Sequence, residues 1–78
     1  MKDFLTYIIQ NLVDHPEEVR IKEVQGTHTI IYELAVAKTD IGKVIGKEGR
    51  TIKAIRTLLV SVASRNNVKV SLEILEDR

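Results

Sequence analysis

The sequence predicts a single α+β domain, residues 1–78, in which helices cover one face of a three-stranded mixed sheet. Segments whose apolar residues recur every three or four positions are typical of amphipathic helices, and they alternate with short β-branched segments typical of strands. The first two predicted strands are joined by a tight turn. The last two are separated by two helices, which is enough chain for a parallel crossover.

The first element is predicted to be a helix over 3–13. Phe4, Ile8 and Leu12 recur at four-residue spacing, which is one face of an α-helix. Asp3 is the expected N-cap, because a short carboxylate can accept a hydrogen bond from the first helical N–H groups. A proline shortly afterwards ends the helix, since the residue before a proline disfavours the helical conformation.

Three strands are predicted. Residues 19–24 alternate in polarity and then slip by one position, which predicts an edge strand with a bulge. Residues 29–36 are apolar on both faces, which indicates the central strand. Residues 68–74 alternate regularly, as expected of a strand with one buried face. The first strand should be antiparallel to the central one and the last strand parallel to it.

Two helices are predicted between the last two strands. The first spans only 41–45, with Thr39 or Asp40 as its cap, and the second runs over 50–65. The apolar stripe of the long helix consists of Ile52, Ile55, Leu59, Val62 and Ala63.

Composition limits the class of protein. Hydrophobic residues make up 44% of the chain and charged residues 29%, as in ordinary folded domains. The chain has no cysteine, so it has neither disulfides nor thiolate metal sites, and with no signal peptide apparent we expect a cytoplasmic protein. The longest apolar-rich stretch, 4–13, is too short to span a bilayer, so no membrane association is expected.

The formal net charge of +1 conceals an uneven distribution. Between Lys43 and Arg56, hereafter the basic segment, five basic residues and the single acid Glu48 give +4, and the remainder of the chain carries −3. Such a local concentration is typical of a surface that binds a polyanion. It is equally compatible with a solvated helix face, so charge alone leaves both alternatives open.

Gly46-Lys47-Glu48-Gly49, hereafter the glycine loop, lies between the two predicted helices of the second half. Glycines let a ligand approach the backbone closely, and a helix N-terminus favours anions such as phosphate. The phosphate loop of nucleotide hydrolases is excluded, because three rather than four residues separate Gly42 from Gly46 and Glu48 follows Lys47. The dinucleotide-binding fingerprint also fails on spacing and on context.

Residues 44–52, Val-Ile-Gly-Lys-Glu-Gly-Arg-Thr-Ile, resemble the signature of the KH domain, in which a Gly-x-x-Gly loop between two helices clamps the backbone of about four nucleotides of RNA. The predicted order αββααβ resembles the type II KH arrangement. Segments 12–19 and 42–56 are similar to the small stand-alone bacterial KH proteins of the KhpA type, and the similarity covers nearly the whole chain.

The resemblance implies a cytoplasmic protein that binds single-stranded RNA and acts as an RNA chaperone or post-transcriptional regulator. It also implies pairing with a larger multi-domain KH protein of the KhpB (Jag) type. The implied RNA-binding residues are Lys43, Ile45, Gly46, Lys47, Glu48, Gly49, Arg50, Thr51, Ile52 and Lys53.

Physical roles can be assigned within this set. The two glycines allow close approach, Lys47 supplies charge, and backbone N–H groups at 49–51 are expected to donate to phosphate oxygens. Ile45 and Ile52 have two interpretations, core packing or an apolar floor for bases. Glu48 should weaken binding by repelling phosphate unless it caps the next helix or pairs with Lys47 or Arg50.

We find no catalytic pair, metal site or cofactor site in the sequence. His15 and His28 lack the partners that metal binding or catalysis requires. Ala54 and Leu58 flank the apolar stripe of the long helix, and they serve either wider core packing or a dimer contact. The alternative to an RNA-binding protein is therefore a protein-interaction or dimerisation module with a KH fold, and a nucleotide-binding enzyme is disfavoured by the loop spacing.

Overall fold

A computed structural model describes residues 1–75, and the last three positions of the predicted domain 1–78 lie outside the described residues. The expected order of elements is confirmed. Three-residue 3₁₀ turns occupy Pro16–Glu18, Lys38–Asp40 and Lys47–Gly49. The helices and strands are α1 (Lys2–Leu12), β1 (Arg20–Gln25), β2 (Thr29–Ala35), α2 (Ile41–Ile45), α3 (Arg50–Ser64) and β3 (Lys69–Ile74). Among residues 1–75, no helix is long and apolar enough to cross a bilayer.

The sheet has the predicted mixed topology. Its strand order is β1-β2-β3, with β1 antiparallel and β3 parallel to the central β2. The register is fixed around Tyr32, which pairs with Glu23 on β1 and Leu72 on β3. Side chains alternate along a strand, so every second residue counted from Tyr32, Glu23 and Leu72 points to the same inner face of the sheet.

The bulge expected in the first strand is absent. Pairing between β1 and β2 is continuous from Arg20 opposite Ala35 to Gln25 opposite Ile30. The apparent slip in the sequence arises because Glu23 occupies an inner-face position beside Tyr32, whereas Val24 lies on the outer face and is exposed. The sequence pattern therefore reflected one polar residue facing inward rather than an extra residue in the strand.

The core lies between the inner face of the sheet and the helices. α3 packs on β3, α1 packs near β1, and α2 packs on α3. The opposite face of the sheet carries exposed charged side chains such as Lys22 and Glu73. Helices thus cover one face only, as predicted. The buried core comprises Leu5, Ile9, Val19, Tyr32, Leu34, Val44, Ile52, Ile55, Leu59, Ala63 and Leu72.

The first helix differs from the prediction in two details. Met1, rather than Asp3, is the N-cap, and Asp3 lies within the first turn, where its charge still complements the positive end of the helix. The buried positions are Leu5 and Ile9, whereas Phe4 and Leu12 are exposed. The sheet meets the edge of the predicted apolar stripe rather than its centre.

The predicted stripe of the long helix is correct at four of its five positions. Val62 is exposed, whereas the neighbouring Ala63 is buried. Four-residue spacing from Ile55 through Leu59 places Ala63 on the covered side.

The pH dependence of stability should report the burial of Tyr32. Burial, together with the nearby Glu23 carboxylate, raises the pKa of Tyr32 from 10.0 to about 12. The unfolded chain therefore loses this proton first, and stability falls as the pH rises from 10 toward 12. The Tyr32→Phe variant lacks this group. Between pH 9 and pH 11 its unfolding free energy, measured by urea titration, should therefore fall by about 1.4 kcal/mol less than that of the wild type. Equal losses in the two proteins would contradict this assignment.

Candidate nucleic-acid interface

The glycine loop reverses the chain between α2 and α3, as the sequence predicted. α2 ends at Gly46 with φ 76° and ψ 174°, and Gly49, with φ 74° and ψ 14°, is the N-cap of α3. Glu48 between them is also left-handed, with φ 57° and ψ 24°. Three positive φ angles in four residues turn the chain sharply, and they present the middle of the loop to solvent.

Gly46 is required by the protein's own packing. A Cβ built on Gly46 would overlap the Thr51 hydroxyl oxygen and would lie 2.6 Å from the Thr51 Cβ. The space that a side chain would take at Gly46 is thus filled by the first turn of α3. Glycine is needed here for packing within the protein, and its expected role in the close approach of a ligand stays a prediction.

Gly49 has open space beside it. A Cβ at this position would meet only the Lys53 Cε, at 4.0 Å. Here the absence of a side chain leaves the backbone accessible, and the left-handed conformation is the second reason for glycine. Close approach of a ligand is therefore possible at the second glycine of the loop.

Two of the three backbone donors expected at 49–51 make hydrogen bonds within the loop. The Gly49 N–H donates to the Gly46 carbonyl at 3.1 Å, and the Arg50 N–H donates to the Lys47 carbonyl, so both are occupied. Lys47 and Glu48, in the middle of the loop, are exposed. Backbone N–H groups on an exposed loop are suited to an anionic acceptor.

Charged side chains lie in the glycine loop and on the first turns of α3. Lys47, Arg50 and Lys53 are exposed. Glu48 pairs with Arg50, whose Nη2 lies 3.6 Å from the Glu48 Oε2. Arg50 is one of the two partners that the sequence suggested for this carboxylate. Because the pair is exposed, it holds the two side chains only weakly, and either can be drawn to another ligand.

Lys43 lies on α2, and its charge is partly compensated. Its Nζ is 3.2 Å from the Asp14 carboxylate, in the segment that follows α1. The +4 counted along the basic segment therefore overstates the local field. Arg56 is directed elsewhere, because its Nη2 donates to the Leu72 carbonyl of β3 at 3.2 Å.

The apolar members of the predicted site separate into two groups. Ile52 is 5% exposed and belongs to the core, which supports the packing interpretation over a contact with bases. Ile45 and Thr51 are partly buried beside the loop. Only Ile45 retains apolar surface that a base could contact.

Asp40 is a residue that the sequence analysis treated only as a helix cap. Its side chain makes no capping bond to α2. Instead its carboxylate is buried and accepts hydrogen bonds from the backbone N–H groups of Asp14 and His15. The sequence carries no signal for this contact, because its partners lie 26 and 25 residues away along the chain.

Two other features of the surface are separate from the loop. His15, Glu17 and Glu18 have potential metal-ligand atoms within 4.8 Å of one another, so His15 does have carboxylate neighbours, contrary to the expectation. All three side chains are exposed. Cavities of about 470 and 460 Å³ lie beside Val68, at the far end of α3 from the loop. Neither of these two cavities is lined by residues of the glycine loop.

Substitution of the two glycines should have unequal effects. Gly46→Ala combines a backbone conformation that disfavours alanine with the overlap on Thr51, and should destabilise the protein by about 2 to 5 kcal/mol. Gly49→Ala carries only the left-handed backbone cost, about 1 to 2 kcal/mol. Urea-induced unfolding of the two variants measures the difference. Equal destabilisation would mean that Thr51 does not pack against Gly46.

The comparisons with known proteins agree with this fold. The family model described as KhpA/KhpB, KH domain, matches residues 2–74. A protein of Chlamydia caviae named RNA-binding protein KhpA is 88% identical over 78 residues, covering both chains completely. A Listeria monocytogenes protein of the same name is 47% identical over 76 residues, covering 97% of this chain and all of that protein. These relatives are named as RNA-binding proteins and not as enzymes, in agreement with the non-enzymatic expectation. The chain belongs to the KhpA/KhpB KH-domain family.

Proposed function

We propose that this protein binds single-stranded RNA by clamping the sugar-phosphate backbone at the glycine loop. The observation that carries the proposal is the sharply turned backbone of the loop, with positive φ at Gly46, Glu48 and Gly49. Lys47 and Glu48 are exposed there, next to the open backbone at Gly49. Oriented N–H donors on a loop with positive φ angles form a concave binding site for phosphate oxygens. The relatives are named RNA-binding proteins, which supports RNA as the ligand.

The surrounding cations extend this site along a strand of RNA. Lys47 lies in the loop, and Arg50 and Lys53 follow on the first turns of α3. Three exposed cations correspond to only a few phosphate contacts, so affinity should be modest and should fall steeply with salt. Ile45 offers the apolar surface beside the loop on which one base can rest.

Glu48 sets the strength of this contact. Its carboxylate lies beside the proposed phosphate position and is 3.6 Å from the Arg50 guanidinium. Binding of a phosphate requires Arg50 to exchange this partner, so Glu48 reduces affinity through both repulsion and competition. A loop with this residue suits short-lived binding to many RNAs, which favours the role of an RNA chaperone or post-transcriptional regulator in the cytoplasm.

Replacing Lys47 and Glu48 together by aspartate should abolish RNA binding while the fold survives. The double variant removes a cation and keeps an acid at position 48, whose left-handed backbone aspartate adopts readily. Fluorescence anisotropy with an unstructured, labelled 12-nucleotide RNA at low salt measures binding. Circular dichroism checks the fold. Wild-type affinity in the double variant would exclude the backbone clamp.

The matched control is Glu48→Gln, which changes the same loop in the opposite direction. It removes the repulsive charge and releases Arg50, so affinity should rise by about tenfold, the equivalent of roughly 1.4 kcal/mol. The salt dependence should also become steeper, because one more cation is available to phosphate. Weaker binding by Glu48→Gln would mean that the carboxylate contributes to the site rather than limiting it.

A second candidate function, dimerisation or recruitment of a protein partner, is favoured by the apolar surface of α3. Leu58 is 48% exposed, and Ala54 and Val62, one turn to either side, are also exposed. Residues four apart lie on the same side of a helix, so these three side chains form one row. A second copy of this chain, or a larger KH protein of the KhpB (Jag) type, is the expected partner. Pairing would join two weak RNA sites and raise affinity by avidity.

Leu58→Asp should convert a dimer of this protein to a monomer. A charge in the centre of an apolar contact would have to be buried without a partner. Sedimentation equilibrium of wild type and variant measures the mass. Val60→Asp is the matched control, because Val60 is similarly exposed, at 49%, but points about 200° away around the helix. A wild-type dimer that is unchanged by Leu58→Asp would exclude this surface.

A further inference from the structure

Asp40 is the one charged side chain among residues 1–75 that is buried, with 1% exposure. Its two carboxylate oxygens accept hydrogen bonds from the N–H groups of Asp14 and His15, at 3.2 and 2.9 Å. Burying a carboxylate is costly unless hydrogen bonds replace its hydration. The two bonds span 26 and 25 residues of sequence, so they join separate parts of the chain.

The contact lies at the start of α2, the helix that leads into the glycine loop. α2 has only five residues, and a helix of that length has little stability of its own. Its position must therefore come from its neighbours. Val44 and Ile45 pack on the core, and Lys43 pairs with Asp14 at 3.2 Å. Asp40 accepts its two hydrogen bonds from the same segment after α1.

These contacts differ in how firmly they can fix the direction of α2. Apolar packing is not directional, and an exposed ion pair is weak and adaptable. Two hydrogen bonds that a buried carboxylate accepts from backbone N–H groups define both distance and orientation. The two hydrogen bonds of Asp40 therefore specify how α2 is oriented.

We infer that Asp40 is the positioning residue of the glycine loop: through its bonds to the Asp14 and His15 backbone, it orients α2 and thereby directs the N–H groups of Lys47 and Glu48. The inference rests on the proposed function, because its consequence for RNA depends on those donors. Across the five residues of α2 the helix rises about 7.5 Å, so a rotation at Asp40 is transmitted directly to Gly46. Asp40 itself is buried and does not touch the ligand.

The test compares Asp40→Asn and Asp40→Ala with the wild type. Asparagine keeps one carbonyl oxygen as acceptor, whereas alanine removes both acceptors. In Asp40→Ala, residual dipolar couplings of Ile41–Ile45 should show α2 reoriented relative to α3, with a smaller change in Asp40→Asn. Affinity for the labelled 12-nucleotide RNA should fall at least about tenfold in Asp40→Ala, since losing even one of its two charge-assisted hydrogen bonds corresponds to roughly that factor. The Asn variant should lie between the two.

A control variant separates positioning from general loss of stability. Ile74→Val removes one methyl group from β3 and lowers stability while leaving both acceptor oxygens of Asp40 in place. When both are measured well below their unfolding transitions, Ile74→Val should keep wild-type affinity and salt dependence. If Asp40→Ala does not fold, Asp40→Asn alone tests the positioning role, because the inference still requires a partial reorientation of α2 in that variant.

The outcomes distinguish this inference from the proposed function. Unchanged dipolar couplings of α2 in the Asp40 variants, or equal losses of affinity in Asp40→Ala and Ile74→Val, would overturn the positioning role. If wild-type protein fails to bind the RNA at low salt, the proposed function is wrong. The dipolar couplings then still decide whether Asp40 orients α2.

Discussion

The reversal between α2 and α3 is the constraint on which the rest of the structure depends. β2 and β3 are parallel, so the chain must return along the inner face of the sheet before β3 can pair. Two helices make this return, and four residues join them. Gly46 makes the sharp turn possible, because Thr51 packs where any larger residue would place its Cβ. The same turn presents Lys47 and Glu48 to solvent, so the fold and the proposed site share one backbone requirement.

α3 connects these roles because its three sides face different surroundings. One side carries Ile55 and Leu59 into the core, and another presents Lys53 near the glycine loop. The third exposes Leu58 with its apolar neighbours. A 15-residue helix is long enough to separate these surfaces while keeping them rigidly related. Changes that shift α3 in the core should therefore affect both surfaces together.

The electrostatics of the site are more balanced than the linear sequence suggests. Asp14 lies beside Lys43, and Glu48 lies beside Arg50, so two of the five cations in the basic segment have acidic partners. Arg56 instead donates to the exposed edge of the sheet at Leu72. Lys47 and Lys53 remain as the cations nearest the loop without such a pair among the described residues. A site of this kind favours weak, salt-sensitive contact over tight binding to one sequence.

The order of elements, the mixed sheet and the position of the glycine loop could all be predicted from the sequence, because local periodicity and glycine spacing report them directly. The resemblance of residues 44–52 to a known signature was likewise a property of the sequence alone. Tertiary structure decided which faces are covered: it buried Ile52 and exposed Val62, and it turned Glu23 inward beside Tyr32. It also engaged the N–H groups of Gly49 and Arg50 within the loop and gave Asp40 partners 26 and 25 residues away. These outcomes depend on contacts between segments far apart in the chain, which local pattern does not encode.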